Sequence, residues 1–308
     1  MKADFHIHST FSDGLLSPEL LLERAYEKNV ELMAFTDHEH VTVTPRLMAL
    51  AESLHIRLIP GVEFLTRCQG RDVHLLAYFS VYPRNCFLRR VQELREQRSQ
   101  ATFHLVQRLR RMGVNLVWPD EGSSDERFSD EGPSQLSSAT KTHSHVLYGL
   151  RKIYPHYSSE VLREIVASAC DRDSLAVYEP PLFTDLVDLI SSEGGLPVIA
   201  HPGLLQDYIF VEKLLTLRKT ALEVYYGYWY DADELIRVYE CLGRRLALAA
   251  TGGSDYHGGF SRVDIGDVVF PENAVHVFLR VLNECCDRNS SKFSEGGECP
   301  CAGFFCGF

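Results

Sequence analysis

The stretch Ala3–Gly14, ADFHIHSTFSDG, decides how the rest of the chain is interpreted. Its first six residues alternate apolar and polar side chains, which is typical of a β-strand. Residues two apart on a strand point the same way, so His6 and His8 are expected to face one side together. Asp13 follows in the next loop. The stretch therefore predicts a strand that ends in a group of side chains able to grip a metal ion.

Strand and helix signals alternate over roughly the first eighty residues. Ser17-Pro18 and Thr44-Pro45 each pair an N-cap residue with a proline, which predicts a helix start. Apolar runs at 31–36, from Arg57 onward and at 72–79 predict strands around these helices. Strands separated by helices of about ten residues predict βαβ units and a mostly parallel sheet, so the predicted fold class is α/β.

The pattern changes between residues 83 and 178. A charge-rich helix is predicted over 85–112, and two shorter helices follow. The segment 119–140 is acidic and poor in apolar residues, so we expect a mobile loop there. This block is predicted to be a helical insertion in an α/β domain made of residues 1–82 and 179–284.

Candidate metal ligands stand at the end of nearly every predicted strand. The carboxyl ends of parallel strands share one face, where such folds place their active sites. The ligands exceed what one ion needs, so we expect two or three divalent ions, for which Mn, Fe and Zn are all suited. The candidate ligands are His6, His8, Asp13, His38, Glu63, His74, His201, Asp255 and His257.

The composition excludes some classes of function. The chain has 308 residues, with 31 basic and 42 acidic side chains and a net charge of −11. It has no apolar stretch of the roughly 20 residues that a membrane span needs. Its start has no secretory h-region, so a cytoplasmic location is expected. The acidic balance argues against a stable complex with nucleic acid, but not against a nucleotide whose phosphates are met by metal ions.

Five of the nine cysteines lie near the carboxyl end, at 285, 286, 299, 301 and 306. An odd total with scattered spacing argues against a disulfide framework and for a reducing compartment. No zinc-ribbon spacing follows the Cys-x-Cys pair. We expect a disordered cysteine-rich tail over 285–308.

The strand-end motifs share their order and spacing with a known family. They are His6-Ile7-His8-Ser9 with Asp13-Gly14, Thr36-Asp37-His38, Gly61-Val62-Glu63, His74, Ala200-His201-Pro202 and Gly253-Ser254-Asp255-Tyr256-His257. The chain thereby resembles the PHP (polymerase and histidinol phosphatase) domain metal-dependent phosphoesterases. The resemblance implies a distorted (β/α)7 barrel with a trinuclear metal site.

The resemblance also implies how the ligands are shared among three ions. One ion would be held by His6, His8, Glu63 and Asp255, a second by Asp13, His38 and His257, and a third by Glu63, His74 and His201. Asp37 resembles a supporting or proton-handling residue. The proton for the leaving group has three candidate sources, which are Asp37, His143 and a metal-bound water.

Within the family, the chain is most similar to small phosphoesterases such as nucleoside 3′,5′-bisphosphate phosphatases and 5′→3′ exonucleases of short RNA. Arg98, Lys141 and His143 in the insertion are the candidate substrate contacts. Two elements depart from that branch. Thr140–His143 replaces Gly-Arg-Pro/Thr-His, and Asp37-His38-Glu39-His40 replaces Asp-His-Asp-Thr. Substrate preference is therefore open.

Several functions are compatible with these residues. We expect hydrolysis of phosphate esters on nucleotides or on the 5′ ends of short oligonucleotides. A histidinol-phosphate phosphatase or another small-molecule phosphatase is the alternative within this class. A catalytically inactive metal-binding regulatory module and a zinc-binding interaction protein are alternatives of other classes. The aromatic run at 225–230 fits core packing or a base-stacking wall, and the oligomeric state is open.

Overall fold

Seven strands form one sheet in sequence order, and the sheet bends into a nearly closed barrel. The computed structural model describes residues 1–116, 139–171, 174–228, 230–258, 261 and 263–293, and for 289–293 the backbone only. The strands are β1 (Ala3–Ile7), β2 (Leu32–Phe35), β3 (Arg57–Cys68), β4 (Arg71–Tyr78), β5 (Leu196–Ile199), β6 (Ala221–Tyr226) and β7 (Ala250–Gly253).

Adjacent strands are parallel except around β4, which runs antiparallel to both β3 and β5. The open edges approach each other where Ile7 bridges to Tyr256 and the His8 N–H donates to the Tyr256 carbonyl at 2.9 Å. The predicted (β/α)7 barrel is therefore confirmed, with β4 as the exception to the parallel rule.

Nine α-helices are present in the described residues. Ser17 and Thr44 cap the first two by accepting from the backbone N–H of Leu20 and Leu47, as their Ser-Pro and Thr-Pro pairs predict. The helices are α1 (Pro18–Glu27), α2 (Pro45–Ser53), α3 (Asn85–Arg111), α4 (His143–Ile153), α5 (Ser159–Cys170), α6 (Phe183–Ser192), α7 (Tyr208–Leu217), α8 (Ala232–Arg245) and α9 (Glu272–Phe293).

The long helix α3 belongs to two hydrophobic cores. Near its start, Phe87 and Leu94 pack with side chains of the barrel. Near its end, Leu105 and Leu109 pack instead with α4 and α5, in a separate core. Helix α3 therefore connects the barrel to the helical block between β4 and β5. The proposed boundaries of that block, 83 and 178, stay a prediction.

The predicted mobile loop and the predicted disordered tail both overlap residues that the structure describes. Helix α9 runs through Phe293, past the predicted start of the tail at 285, and Cys285 packs against the core beside the barrel. Ala139 and Thr140 are buried, although the predicted loop 119–140 included them. Residues 119–138 of that loop lie outside the described residues, and so does the tail after residue 293.

No helix in the described part of the chain combines the length and the apolar character that a membrane span requires. The six cysteines in the described residues are all free thiols.

Candidate metal centre

Glu63 lies at the centre of the predicted ligands. Its side chain is 1% exposed, and both of its carboxylate oxygens face histidines that lie in or just after other strands. The distances from Oε2 are 3.5 Å to His6 Nε2, 3.2 Å to His8 Nε2 and 3.2 Å to His38 Nδ1. Those from Oε1 are 2.8 Å to His74 Nδ1 and 3.3 Å to His201 Nε2. We call Glu63 and these five histidines the Glu63 cluster.

Two further carboxylates border this cluster. Asp13 Oδ1 lies 3.3 Å from His257 Nε2 and 3.6 Å from His8 Nδ1. Asp255 Oδ1 lies 3.2 Å from His6 Nε2 and 3.3 Å from His8 Nε2. The structure therefore brings all nine predicted ligands to one end of the barrel, where the parallel strands finish.

Three overlapping groups of these side chains are close enough to hold an ion, because their ligand atoms lie within 4.8 Å of one another. The groups are His8, Asp13, His38 and His257; His6, His8 and Glu63; and His38, Glu63 and His74. His8 and His38 each belong to two groups, whereas the family resemblance gave each to one ion. His201 and Asp255 lie outside the groups but contact them. The sharing of ligands among ions thus stays a prediction.

Four buried atoms of the site have no hydrogen-bond partner: His6 Nε2, His8 Nε2, Asp13 Oδ1 and His38 Nδ1. A buried polar atom left in this state costs about 1–3 kcal/mol, so proteins seldom retain one without a reason. These nitrogen and oxygen atoms are ligands that suit Mn, Fe and Zn. The residues present therefore fit a divalent metal site.

The histidines keep the site's carboxyl groups charged. Burial alone would raise the pKa of Asp13, Glu63 and Asp255, but the neighbouring histidines outweigh it. The pKa of each carboxyl is consequently held well below its usual range. Metal ions bind the deprotonated form of a carboxyl group, so these three are prepared for ligation.

Asp37 is buried and its hydrogen-bonding capacity is used within the protein. It accepts from the Ser9 N–H at 2.7 Å, the Ser9 hydroxyl at 2.6 Å, the Ser12 hydroxyl at 2.6 Å and the Thr42 hydroxyl. Ser12 Oγ lies 3.2 Å from His8 Nδ1. These contacts favour a role in holding the loop after β1, and they do not support the predicted proton-handling role.

The segment before α4 lies across the end of the barrel. The Thr140 N–H donates to the Phe11 carbonyl at 2.9 Å, and the Thr142 hydroxyl donates to Asp13 Oδ2 at 3.1 Å. Helix α4 begins at His143, immediately after this contact. The insertion is therefore joined directly to a predicted metal ligand.

The three predicted substrate contacts differ in their surroundings. Arg98 is buried and donates to Glu39 Oε2 at 2.6 Å, over the ring of Tyr178. Lys141 is also buried, and its backbone is held by Ser99 and Thr102 of α3. His143 is exposed.

Crowding by protein atoms around His143 and the nearby charge of Arg98 lower its pKa. The neutral form of His143 is thereby favoured near pH 7, which suits a hydrogen-bonding contact better than a proton donor.

Several residues at the site were not identified from the sequence. Tyr148 on α4 is half-buried, and burial together with the charges of Asp13 and Asp255 raises its pKa. Glu223 and Tyr226 of β6 touch His6 and Asp255, respectively. Thr142 lies in the quoted Thr140–His143 element and Tyr226 in the aromatic run at 225–230, whereas no motif in the sequence marked Tyr148 or Glu223.

Three tyrosines of the aromatic run at 225–230 are packed inside the protein. Tyr225 donates to Glu240 at 2.6 Å, and the Tyr228 hydroxyl accepts from the Gly203 N–H at 3.0 Å. Tyr225, Tyr226 and Tyr228 are buried and serve internal contacts, whereas Tyr230 is 79% exposed. Trp229 lies outside the described residues.

Comparisons with known proteins agree with this geometry. The PHP domain matches residues 4–115. The phosphoribosyl 1,2-cyclic phosphate 1,2-diphosphodiesterase of Eggerthella lenta is 30% identical over 271 residues, covering 85% of this chain and 97% of that protein. The 5′-3′ exoribonuclease Rnm of Escherichia coli is 28% identical, with 85% and 87% covered. The 3′,5′-nucleoside bisphosphate phosphatase of Chromobacterium violaceum is 25% identical, with 85% and 90% covered.

Solved structures share the fold. A Bifidobacterium adolescentis protein predicted to be a metal-dependent phosphoesterase superposes with a TM-score of 0.72 at 22% identity, covering 90% of this chain and 95% of that one. A structure described as an amidohydrolase from Chromobacterium violaceum, with bound sulfate and no metal, gives a TM-score of 0.69 at 23% identity, covering 92% and 97%. The family match and the sequence relatives establish that the chain belongs to the PHP domain family and is a hydrolase of phosphate esters.

Proposed function

We propose that the chain is a metal-dependent phosphoesterase that acts on nucleoside 3′,5′-bisphosphates or on the 5′-phosphorylated ends of short oligonucleotides. The observation that carries this proposal is the group of buried ligand atoms without partners at the end of the barrel. The relatives support the substrate class, because their names describe phosphate esters of ribosyl groups, RNA or nucleosides. A cytoplasmic location stays a prediction.

We propose that two or three divalent ions bind here, through the nine candidate ligands. When bound, such ions lower the pKa of water toward neutrality and neutralise phosphate oxygens, which supplies a nucleophile and stabilises the developing charge. Mn, Fe and Zn are proposed because the histidine and carboxylate ligands suit all three metals.

The chain's own residues at the mouth would bind and orient the ester. Burial and the charges of Asp13 and Asp255 raise the pKa of Tyr148, so its hydroxyl keeps its proton at neutral pH and can donate a hydrogen bond. His143, neutral and exposed, is placed to contact the sugar or a phosphate oxygen.

Lys141 precedes Thr142, which touches Asp13, so the ammonium group of Lys141 is the candidate contact for a second phosphate. Arg98, paired with Glu39, would hold α3 against the barrel and add positive charge behind His143.

A cyclic phosphodiester of ribose is a second candidate substrate. Its support is the relative with 30% identity, which is matched over 97% of its length and is named for a phosphoribosyl 1,2-cyclic phosphate. The same metal site would serve both reactions, since each places a hydrolysable phosphate ester beside a ribose.

A substrate panel tests the proposal. Metal-free protein is reloaded separately with Mn²⁺, Fe²⁺ or Zn²⁺ and given adenosine 3′,5′-bisphosphate, a 5′-phosphorylated trinucleotide, phosphoribosyl 1,2-cyclic phosphate or histidinol phosphate. We expect metal-dependent turnover of one of the first two. Preference for the cyclic ester supports the second candidate, and preference for histidinol phosphate contradicts both. A metal-loaded protein that hydrolyses none of them would be a binding module rather than an enzyme.

Lys141→Ala tests the substrate contact. We expect KM to rise more for adenosine 3′,5′-bisphosphate than for adenosine 5′-monophosphate, because only the bisphosphate has a second phosphate for the ammonium group. Lys152→Ala is the matched control, since Lys152 is an exposed lysine at the other end of α4. An equal rise in KM for both substrates would exclude this role.

A further inference from the structure

Strand β6 supplies none of the predicted metal ligands, yet two of its side chains contact three of them. Glu223 is fully buried, with Oε1 3.0 Å from His6 Nδ1 and with Oε2 accepting from the His201 N–H at 2.7 Å. The hydroxyl of Tyr226 donates to Asp255 Oδ2 at 2.8 Å. These contacts join β6 to predicted ligands from β1, from the segment after β5 and from the segment after β7.

An irregularity in β6 lets both side chains reach the same site. In a regular strand, residues three apart point to opposite faces of the sheet. The pairing of β6 with β7 shifts register between Glu223 and Tyr225, and such a bulge re-aims the side chains that follow it. Tyr225 consequently points to Glu240 of α8, while Tyr226 joins Glu223 at the metal centre.

Glu223 determines which atom of His6 is available to an ion. A carboxylate oxygen accepts hydrogen bonds, so the proton shared with Glu223 resides on His6 Nδ1. His6 Nε2 is then the ring nitrogen that faces Asp255 Oδ1 at 3.2 Å and Glu63 Oε2 at 3.5 Å, on the side where an ion would bind. This Nε2 is one of the buried atoms without a partner.

Glu223 also holds the backbone of His201. The φ angle of His201 is 28°, in a region that residues other than glycine rarely adopt. The hydrogen bond from its N–H to Glu223 supports this conformation, which places the imidazole 3.3 Å from Glu63 Oε1.

Tyr226 acts on Asp255 in the same manner. It occupies Oδ2, so that Oδ1 remains next to His6 and His8. Its ring also lies 5.3 Å from the ring of His201, centroid to centroid.

We propose that Glu223 and Tyr226 are positioning residues that orient His6, His201 and Asp255 and thereby set the metal affinity of the site. The inference rests on the proposed function only in that the site binds divalent ions. Residues that orient metal ligands typically change metal affinity by about 10- to 100-fold when they are replaced.

Tyr226→Phe is the first test, with Tyr225→Phe as its matched control, because the neighbouring tyrosine donates a similar hydrogen bond on the outside of the barrel. Metal-free protein is titrated with Mn²⁺ and Zn²⁺ by calorimetry, and bound metal is counted by elemental analysis. We expect Tyr226→Phe to weaken metal binding about 10- to 100-fold and Tyr225→Phe to leave it unchanged. A merely structural tyrosine would lower the melting temperature of the metal-free protein without this difference in affinity.

Glu223→Gln is the second test. An amide has one acceptor oxygen where the carboxylate has two, so either His6 or His201 loses its hydrogen bond. We expect weaker metal binding and, in ¹⁵N spectra of the Zn²⁺-loaded protein, a changed Nδ1–H signal of His6. If this variant fails to fold, Tyr226→Phe still decides the matter.

The outcomes separate the two proposals. A wild-type protein that hydrolyses the substrates, with wild-type affinity in both variants, overturns the positioning role alone. The expected order of affinities without hydrolysis of any phosphate ester contradicts the proposed function alone. A wild-type protein that binds no divalent ion overturns both.

Discussion

Two buried polar clusters lie side by side at the end of the barrel, and they differ in whether the protein satisfies them. In the Asp37 cluster, made of Asp37 with Ser9, Ser12 and Thr42, each carboxylate oxygen accepts two hydrogen bonds. In the Glu63 cluster, His6, His8 and His38 each present a buried nitrogen without a partner. Both carboxylates are at most 1% exposed, so burial does not distinguish them.

The difference shows how to separate a structural polar cluster from a binding one. Desolvation makes any buried polar group costly unless it gains partners. The Asp37 cluster gains them from nearby residues, whereas the Glu63 cluster keeps buried nitrogens without a hydrogen-bond partner, as a metal site would. The two meet at Ser12, which donates to Asp37 Oδ1 and lies 3.2 Å from His8 Nδ1. Through Ser12, the Asp37 cluster therefore supports one edge of the Glu63 cluster.

The largest effect is expected from Glu63→Gln. Glu63 contacts five histidines, so the variant should lose more than one equivalent of metal by elemental analysis. Metal ions supply several kcal/mol of transition-state stabilisation, and each 1.36 kcal/mol is a factor of ten, so turnover should fall about 10³-fold. Glu240→Gln, a matched change outside the barrel, should retain the metal content and the turnover of the wild type. A Glu63→Gln protein with its full metal content would contradict the assignment of the Glu63 cluster as the binding one of the two clusters.

The Asp37 cluster should respond differently. Asp37→Asn replaces charge-assisted hydrogen bonds by weaker ones, and we expect a loss of about 2–3 kcal/mol in the free energy of unfolding. The measurement is chemical denaturation of metal-free protein, with Asp72→Asn as the control on an exposed aspartate that pairs with Arg67. Metal content should stay near that of the wild type. Loss of turnover without loss of stability would instead restore the proton-handling role first predicted for Asp37.

The fold and the location of the site were predictable because they depend on local patterns. Alternating polarity around His6 and His8 predicts a strand with both side chains on one face. Ser17-Pro18 and Thr44-Pro45 predict helix starts, because the cap and the proline act on neighbouring backbone groups. The family motifs then indicate which candidate ligands lie at the ends of the other strands.

The supporting contacts were not predictable, because they join residues that are far apart in the sequence. Glu223 is 217 residues from His6, and no periodic pattern encodes the bulge that turns Tyr226 inward. Arg98 was assigned to the substrate from its position on a charged helix, but the fold brings Glu39 within 2.6 Å of it. The reversed direction of β4 likewise depends on pairing, which its own sequence does not specify.

The smallest effect is expected at a partly exposed ion pair, which extends the comparison to the surface. Asp264 accepts two hydrogen bonds from Arg24, at 2.7 and 2.8 Å, and pairs with Lys28 at 2.9 Å. Partial burial opposes ionisation of Asp264, but the hydrogen bonds from Arg24 and Lys28 outweigh it and lower its pKa from 3.8 to about 2. Water screens such pairs, so Asp264→Asn should cost at most about 1 kcal/mol at pH 7.

The pH dependence of that cost follows from the direction of the shift. Because the pKa of Asp264 is lower in the folded state, the charged carboxyl stabilises the fold above the unfolded value of 3.8. This stabilisation is lost as the pH falls from about 4 toward 2, where the carboxyl is protonated in both states. The difference in unfolding free energy between wild type and Asp264→Asn should therefore shrink over that interval in denaturation curves. A difference that grows below pH 4 would show that the ion pair is not its source, whereas a shrinking one assigns it to the charge of Asp264.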